Sequence, residues 1–362
     1  MNTATLPRPA AWRLPASATL GVLAALLAAA TLQAVATGAF PIAPSEVLRI
    51  LLEQTGLLAT TADPQQASVL LSIRVPRVLL AIATGAGLAV AGALMQGLFR
   101  NPLADPTLIG VAMGGALAAA TVIVLGATLL PGASRVLGAW TLPLAAFAGS
   151  LAATAIVYRI GTAGSGSVSL AMMLLAGIAV NAAAGAGIGL LTYLATDEQL
   201  RTLAFWNLGS LGGASWTALG AVLPLVGIGL AVSALLARPL NALALGETRA
   251  GHLGVEVVRV KRMAIVTTAL ITGSLVAITG VIGFIGLVAP HLVRLLCGPD
   301  HRIVLPGSAL LGALLVLCAD MVARTAVAPA ELPLGVLTAL LGAPFFLALL
   351  LRMRARGGAG GF

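Results

Sequence analysis

The feature that most constrains this chain is a series of long, nearly uncharged apolar stretches. Nine can be marked: 16–40, 77–99, 107–130, 136–158, 168–195, 214–237, 263–288, 303–324 and 333–351. Each is long enough for a helix to cross a bilayer core of about 30 Å, which takes roughly 20 residues. Only 9% of the 362 residues are charged, against about 25% in soluble domains. The stretches are continuous rather than alternating, which excludes an outer-membrane barrel. The net charge of +9 does not indicate a nucleic-acid binder, because it comes from scattered arginines and a single lysine, Lys261. The expected class is an all-α polytopic membrane protein, read as one transmembrane domain over 1–362.

Charge at the two ends sets the parity of the crossings. Arg8 and Arg13 lie near the start, and Arg352, Arg354 and Arg356 near the end. Basic flanks belong in the cytoplasm, so the number of spans is even and nine is wrong by one. The stretch from Met263 to Cys297 holds the missing crossing. It would be about 52 Å long as a single helix, and it contains Gly280, Gly283, Gly286 and Pro290. We read a full span over 263–279, a glycine turn, and a short segment over about 287–297, giving ten transmembrane helices. Residues 41–76, 131–135, 195–213 and 325–332 then lie outside, and 96–106, 159–167, 238–262 and 298–302 inside. The first span is expected to be retained, since its apolar stretch exceeds that of a signal peptide. Residues 45–58 read as an outer amphipathic helix. A weak repeat relates 85–106 to 273–291, as in the inverted repeats of transporters.

Catalytic signatures are missing from the sequence. A P-loop needs Gly-Lys-Ser/Thr, and Lys261 follows Val260. His252, His291 and His301 have no ligand spacing, and Cys297 and Cys318 read as buried free thiols. No catalytic, cofactor or metal residue is expected. Asp320 is the one clear acid within a span, and Arg324 stands one helical turn away. A gradient-driven secondary carrier is therefore the alternative class, with thin support.

Four stretches carry more than composition. They are Ile73–Leu80 (IRVPRVLL) followed by Gln96–Pro106 (QGLFRNPLADP), Leu240–Val257, Gly283–His291 with Gly298–Arg302, and Glu331–Gly335 through Gly342–Pro344. Together they resemble the permease subunits of type II ABC importers, which move iron-siderophores, heme and cobalamin across the inner membrane. The stretch Leu190–Trp216, with Leu174–Ala182 before it, is similar to the heme-importing branch.

The resemblance implies ten spans, a homodimer of permeases, two ABC ATPase subunits, a periplasmic binding protein and heme as cargo, without a resident cofactor or nucleic acid. It implies the bacterial inner membrane with both termini cytoplasmic. Ferric siderophore or cobalamin remains the alternative cargo. Residues 238–262 would couple to the ATPase through Leu240, Leu243, Gly246, Glu247, His252, Leu253, Gly254 and Val255, with the leucines and Val255 as exposed anchors. Arg74, Arg77 and Arg324 would either grip the binding protein or anchor the interface. Asn181, Gly185, Gly189 and Thr192 would either line the pathway or pack helices. The loop with Ser165 and Ser167 would be a gate or a plain connector.

Overall fold

The structure is a computed structural model that describes residues 14–38, 40, 42–54, 63–129, 131–163, 168–327 and 330–357. All of its long elements are helices. We label them α1 (Ala16–Ala36), α2 (Pro44–Gln54), α3 (Pro64–Phe99), α4 (Val111–Leu129), α5 (Thr141–Thr162), α6 (Leu170–Leu194), α7 (Asp197–Leu208), α8 (Trp216–Ala244), α9 (Glu247–His252), α10 (Val257–Thr279), α11 (Ile285–Cys297), α12 (His301–Thr325) and α13 (Leu334–Gly357). Eight helices among the described residues are long and apolar enough to cross a membrane. Two shorter apolar helices, α11 and the Leu334–Leu349 part of α13, complete the expected set of ten.

The bundle is arranged around α3. Asp63 starts this helix by accepting from the Gln65 N–H at 2.9 Å, with Pro64 in the first turn. A π-helical turn over Leu70–Arg74 leads without interruption into Val75–Phe99. Residues 64–76, expected in an outer loop, are therefore helical. The helix stops where Arg100 turns left-handed and the Asn101 N–H returns to the Gln96 carbonyl. Between Pro76 and Leu98 only Leu79 and Ile82 are less than fully buried. By contrast, α6 leaves Leu175, Ile178, Leu190 and Tyr193 exposed.

Small residues let α3 be enclosed. A Cβ on Gly85 would sit 2.1 Å from the Gly312 carbonyl oxygen on α12, and one on Gly92 would sit 1.9 Å from the Gly286 oxygen on α11. These are direct backbone approaches, the contact that holds helices together where lipid and side chain are equally apolar.

The glycine break lies where the sequence places it. α10 ends at Gly280 with φ +68°, and Phe284 takes a left-handed φ of 68° just before α11 begins. α11 starts at Ile285, slightly ahead of the expected segment, and keeps Pro290 inside it. α2 covers the core of the amphipathic segment and buries Val47 and Ile50. The two cysteines correct an expectation: Cys318 is exposed on α12 and Cys297 is half-buried at the end of α11, so neither is a buried thiol.

If these approaches hold the bundle, then Gly85→Ala and Gly92→Ala should each lower the melting temperature of the detergent-purified protein by several degrees. Overpacking typically costs about 1–3 kcal/mol. Gly227→Ala, where a Cβ meets nothing within 4 Å, should leave it unchanged. Equal melting temperatures for all three would contradict this packing.

Candidate functional site

The two ends of the bundle carry the polar chemistry. At one end, α3, α12 and the segment before α13 converge on a buried ionic cluster. The Arg77 Nε donates to Asp320 Oδ1 at 3.0 Å, and its two terminal nitrogens donate to Glu331 at 2.8 and 2.9 Å. The Arg324 Nε lies 2.9 Å from Asp320 Oδ2, the one-turn pair that the sequence shows. Asp320 is thus shared between two arginines, and its side chain is 1% exposed.

Arg324, with Arg74 beside it, also ties down the end of α1. Arg324 donates to the Thr37 and Ala34 carbonyls at 3.0 and 3.3 Å. Arg74 donates to the Val35 and Ala36 carbonyls at 3.0 and 2.8 Å, and to Phe40. The last carbonyls of a helix have no partner within it and carry its negative end, so a guanidinium is well matched there. Arg74, Arg77 and Arg324 are 4, 8 and 7% exposed. The structure brings all three together, but facing internal partners. Sequence reading missed Glu331 as a cluster member, and its place beside Pro333 in a short connector gives no periodic signal.

At the other end, the expected coupling loop is shorter than its sequence range. α8 runs through Pro239 to Ala244, so Leu240 and Leu243 are buried in the core, at 0 and 3% exposure, and are not exposed anchors. Pro239 lies inside α8 and does not end it. What projects is α9 and its flanks. Gly246 turns with φ +108° and Gly254 with φ +81°. His252 and Leu253 are exposed, Leu253 at 65%, Val255 is half-buried, and Ala250 alone of α9 is buried. Glu247 fixes the position of α9: its Oε2 accepts from Lys261 Nζ at 2.7 Å, and the same ammonium donates to the Val168 carbonyl at 2.8 Å. α9 is thereby linked to both α10 and the start of α6.

A neighbouring clasp orders the start of α12. Asp300 accepts from the Arg302 N–H at 2.9 Å and from Asn241 Nδ2 at 2.6 Å. The Asn241 oxygen accepts the His301 N–H at 2.9 Å. The backbone N–H of Arg302, then Asn241, hold the Asp300 carboxyl below the ordinary carboxylate range.

Inside the bundle, Gln96 closes the helix break. Its amide donates to the Gly286 and Leu287 carbonyls at 3.1 and 3.4 Å, and its oxygen accepts from Arg294. Sequence reading quoted Gln96 only as the start of a family motif and gave it no role, although it is the one amide in the Gly-, Ala- and Leu-rich part of α3 from Val75 to Phe99.

On α6, Asn181 donates to the Thr107 carbonyl at 2.9 Å. Gly185 and Gly189 face open space: the first meets only Met113, at 3.8 Å, and the second meets nothing within 4 Å. Thr192 is exposed and bonded to its own helix. The tight glycine of α6 is Gly177, against the Leu108 carbonyl. Ser165 and Ser167 lie outside the described residues.

The model of the FecCD transport family matches residues 23–352. The chain belongs to the FecCD transport family. It is 49% identical to the hemin transport system permease protein of Yersinia pestis over 299 residues, covering 82% of this chain and 86% of the relative. It is 43% identical to the cobalamin import system permease protein of Halobacterium salinarum over 289 residues, covering 79% and 74%. A solved ABC transporter of metal-chelate type, in an inward-facing conformation, superposes with a TM-score of 0.79 at 31% identity, covering 93% of this chain and 99% of the other. This FecCD member is a multi-pass permease subunit of a bacterial ABC importer. Such a subunit works with an ATPase subunit, which holds the nucleotide site, and with a substrate-binding protein.

Two variants separate the members of the ionic cluster. Asp320→Asn leaves the buried Arg324 without a counter-charge and Arg77 with Glu331 alone, and should destabilise the purified protein by about 3–5 kcal/mol. Glu331→Gln should cost far less, because the Glu331 side chain is 44% exposed. The hydrogen bond from Arg77 holds Glu331 below its ordinary value of 4.5. Its contribution to stability is therefore complete above pH 4.5 and is lost as pH falls through the depressed value. Thermal melts from pH 7 to pH 3.5 should show Glu331→Gln losing less stability than the parent. Parallel losses would contradict the pairing.

Proposed function

We propose that this permease imports heme, that two copies form the pathway, and that both termini are cytoplasmic. The observation that carries the cargo is the 49% identity to a hemin permease across 82% of the chain. The cobalamin permeases stand at 42–43%. The rank order favours heme over cobalamin. The dimer is supported by the open small-residue flank of α6, where, among the described residues, Gly185 meets only Met113 and Gly189 meets nothing within 4 Å.

In this reading the α9 end faces the cytoplasm and the ATPase. Gly246, Glu247, His252, Leu253, Gly254 and Val255 form the coupling element. Leu240 and Leu243 act from beneath it, transmitting its displacement into α8. An exposed leucine on a short helix that is tethered through Glu247 and Lys261 suits a socket in a partner. The arginine end then receives the binding protein. Arg74 and Arg324 fix α1, and an acidic lobe docks by replacing Glu331 on Arg77. Asn181, Gly185, Gly189 and Thr192 face the space between the two copies, and Ser165 and Ser167 belong to the loop closing it below. ATP binding favours one conformation of the coupling element and loaded binding protein favours the other, so the partners shift a two-state equilibrium.

Reconstituting the permease with its ATPase and binding protein in nanodiscs tests the cargo. Heme-loaded binding protein should stimulate ATP hydrolysis several-fold, and cobalamin or a ferric siderophore should not. Equal stimulation by cobalamin would overturn the heme reading. In the same preparation Leu253→Asp should lower stimulation by about tenfold, a hot-spot loss, without changing the melting temperature.

A further inference from the structure

A cavity of about 600 Å³ opens on the flank of the bundle, between α3, α8 and α12 and near the α9 end. Val90 forms its floor, and Leu230, Leu305 and Ala309 form its walls. Ala234, Leu235 and Pro306 at its edge are exposed, Leu235 at 72%. Two arginines line the same cavity, Arg238 on α8 and Arg302 in the first turn of α12. Both are exposed, and neither guanidinium has a hydrogen bond or ion pair among the described residues. The nearby acid, Asp300, is already engaged by Asn241 and the Arg302 N–H.

From this geometry we propose that the cavity binds an anionic phospholipid, with its phosphate on Arg238 and Arg302 and an acyl chain laid inward over Leu230, Leu305 and Ala309. Arg238 and Leu230 are eight residues apart on one helix, about 12 Å along its axis. A polar head at the arginines therefore places the apolar tail in the hydrocarbon region. Cationic pockets between helices near the membrane surface suit anionic headgroups. Zwitterionic lipid would bring no net charge to the pair, against which the site itself sets only Asp300. A second copy of the chain is a poorer match, since the site is a concavity carrying two like charges. Heme is a poorer match as well, because the one imidazole in the lining, His301, is 5% exposed, with Nδ1 on Asn241 and Nε2 against Gly97. The inference uses the membrane location of the chain and not its cargo.

Native mass spectrometry of the full-length permease tests it. The protein would be taken from bilayers of phosphatidylethanolamine mixed equally with phosphatidylglycerol. The parent should retain phosphatidylglycerol over phosphatidylethanolamine. Arg238→Gln combined with Arg302→Gln should lower that retention roughly tenfold, and Ala309→Phe, which fills the groove and keeps both charges, should lower it as well. Melting temperature should rise with added phosphatidylglycerol in the parent and not in either variant. If the double variant does not fold, Ala309→Phe and the parent's lipid preference still decide. Equal retention of the two lipids would overturn the proposal. So would stabilisation by inorganic phosphate alone, or protection of the groove from labelling by heme or by a second copy.

Discussion

The close backbone contact of α3 with its neighbours is the constraint on which the rest of the structure depends. Inside a bilayer, apolar surface gains nothing by leaving lipid for protein, so helices associate through packing and a few hydrogen bonds. Gly85 against Gly312 and Gly92 against Gly286 bring α12 and α11 onto α3 at backbone distance. A helix enclosed in this way can serve as a fixed post for the others. The start of α11 is buried against it, and the Gln96 amide of α3 donates to the Gly286 carbonyl, whose helical partner is missing because Pro290 has no N–H.

Polar groups mark both ends of this post, and each set joins elements that are distant in the chain. Asp320 and Glu331 hold Arg77 across 243 and 254 residues, and Arg74 and Arg324 fasten α1 by its terminal carbonyls. Glu247 and Lys261 hold α9 against α10 while leaving Leu253 outward. The result is a short helix that is exposed but not loose. In the proposed reading, motion imposed on it would pass to the starts of α6 and α10 and, through Leu240 and Leu243, to α8.

The number of spans and the glycine break were legible because they depend on local quantities: apolar length, terminal charge and glycine placement. The family was legible from long ordered motifs. The inward setting of Arg74, Arg77 and Arg324 was not, since their partners are either acids more than 240 residues away or backbone carbonyls that leave no mark in the sequence. The burial of Leu240 and Leu243 was illegible for a different reason. A proline can open a helix, but here the neighbouring helices enclose Leu240 and Leu243, and their burial carries α8 onward to Ala244. Gly185 and Gly189 have the spacing of a packing motif, and only the structure shows that no described helix of the same chain approaches them closely, Met113 at 3.8 Å from the Gly185 position being the nearest contact.

This chain moves cargo with energy supplied by a partner's ATP hydrolysis. Accumulation of heme inside proteoliposomes tests it most directly. Vesicles carrying the permease and its ATPase, given heme-loaded binding protein outside and ATP inside, should accumulate heme, and should continue when a protonophore collapses the proton gradient. Accumulation that ignores ATP and stops with the gradient would contradict the account.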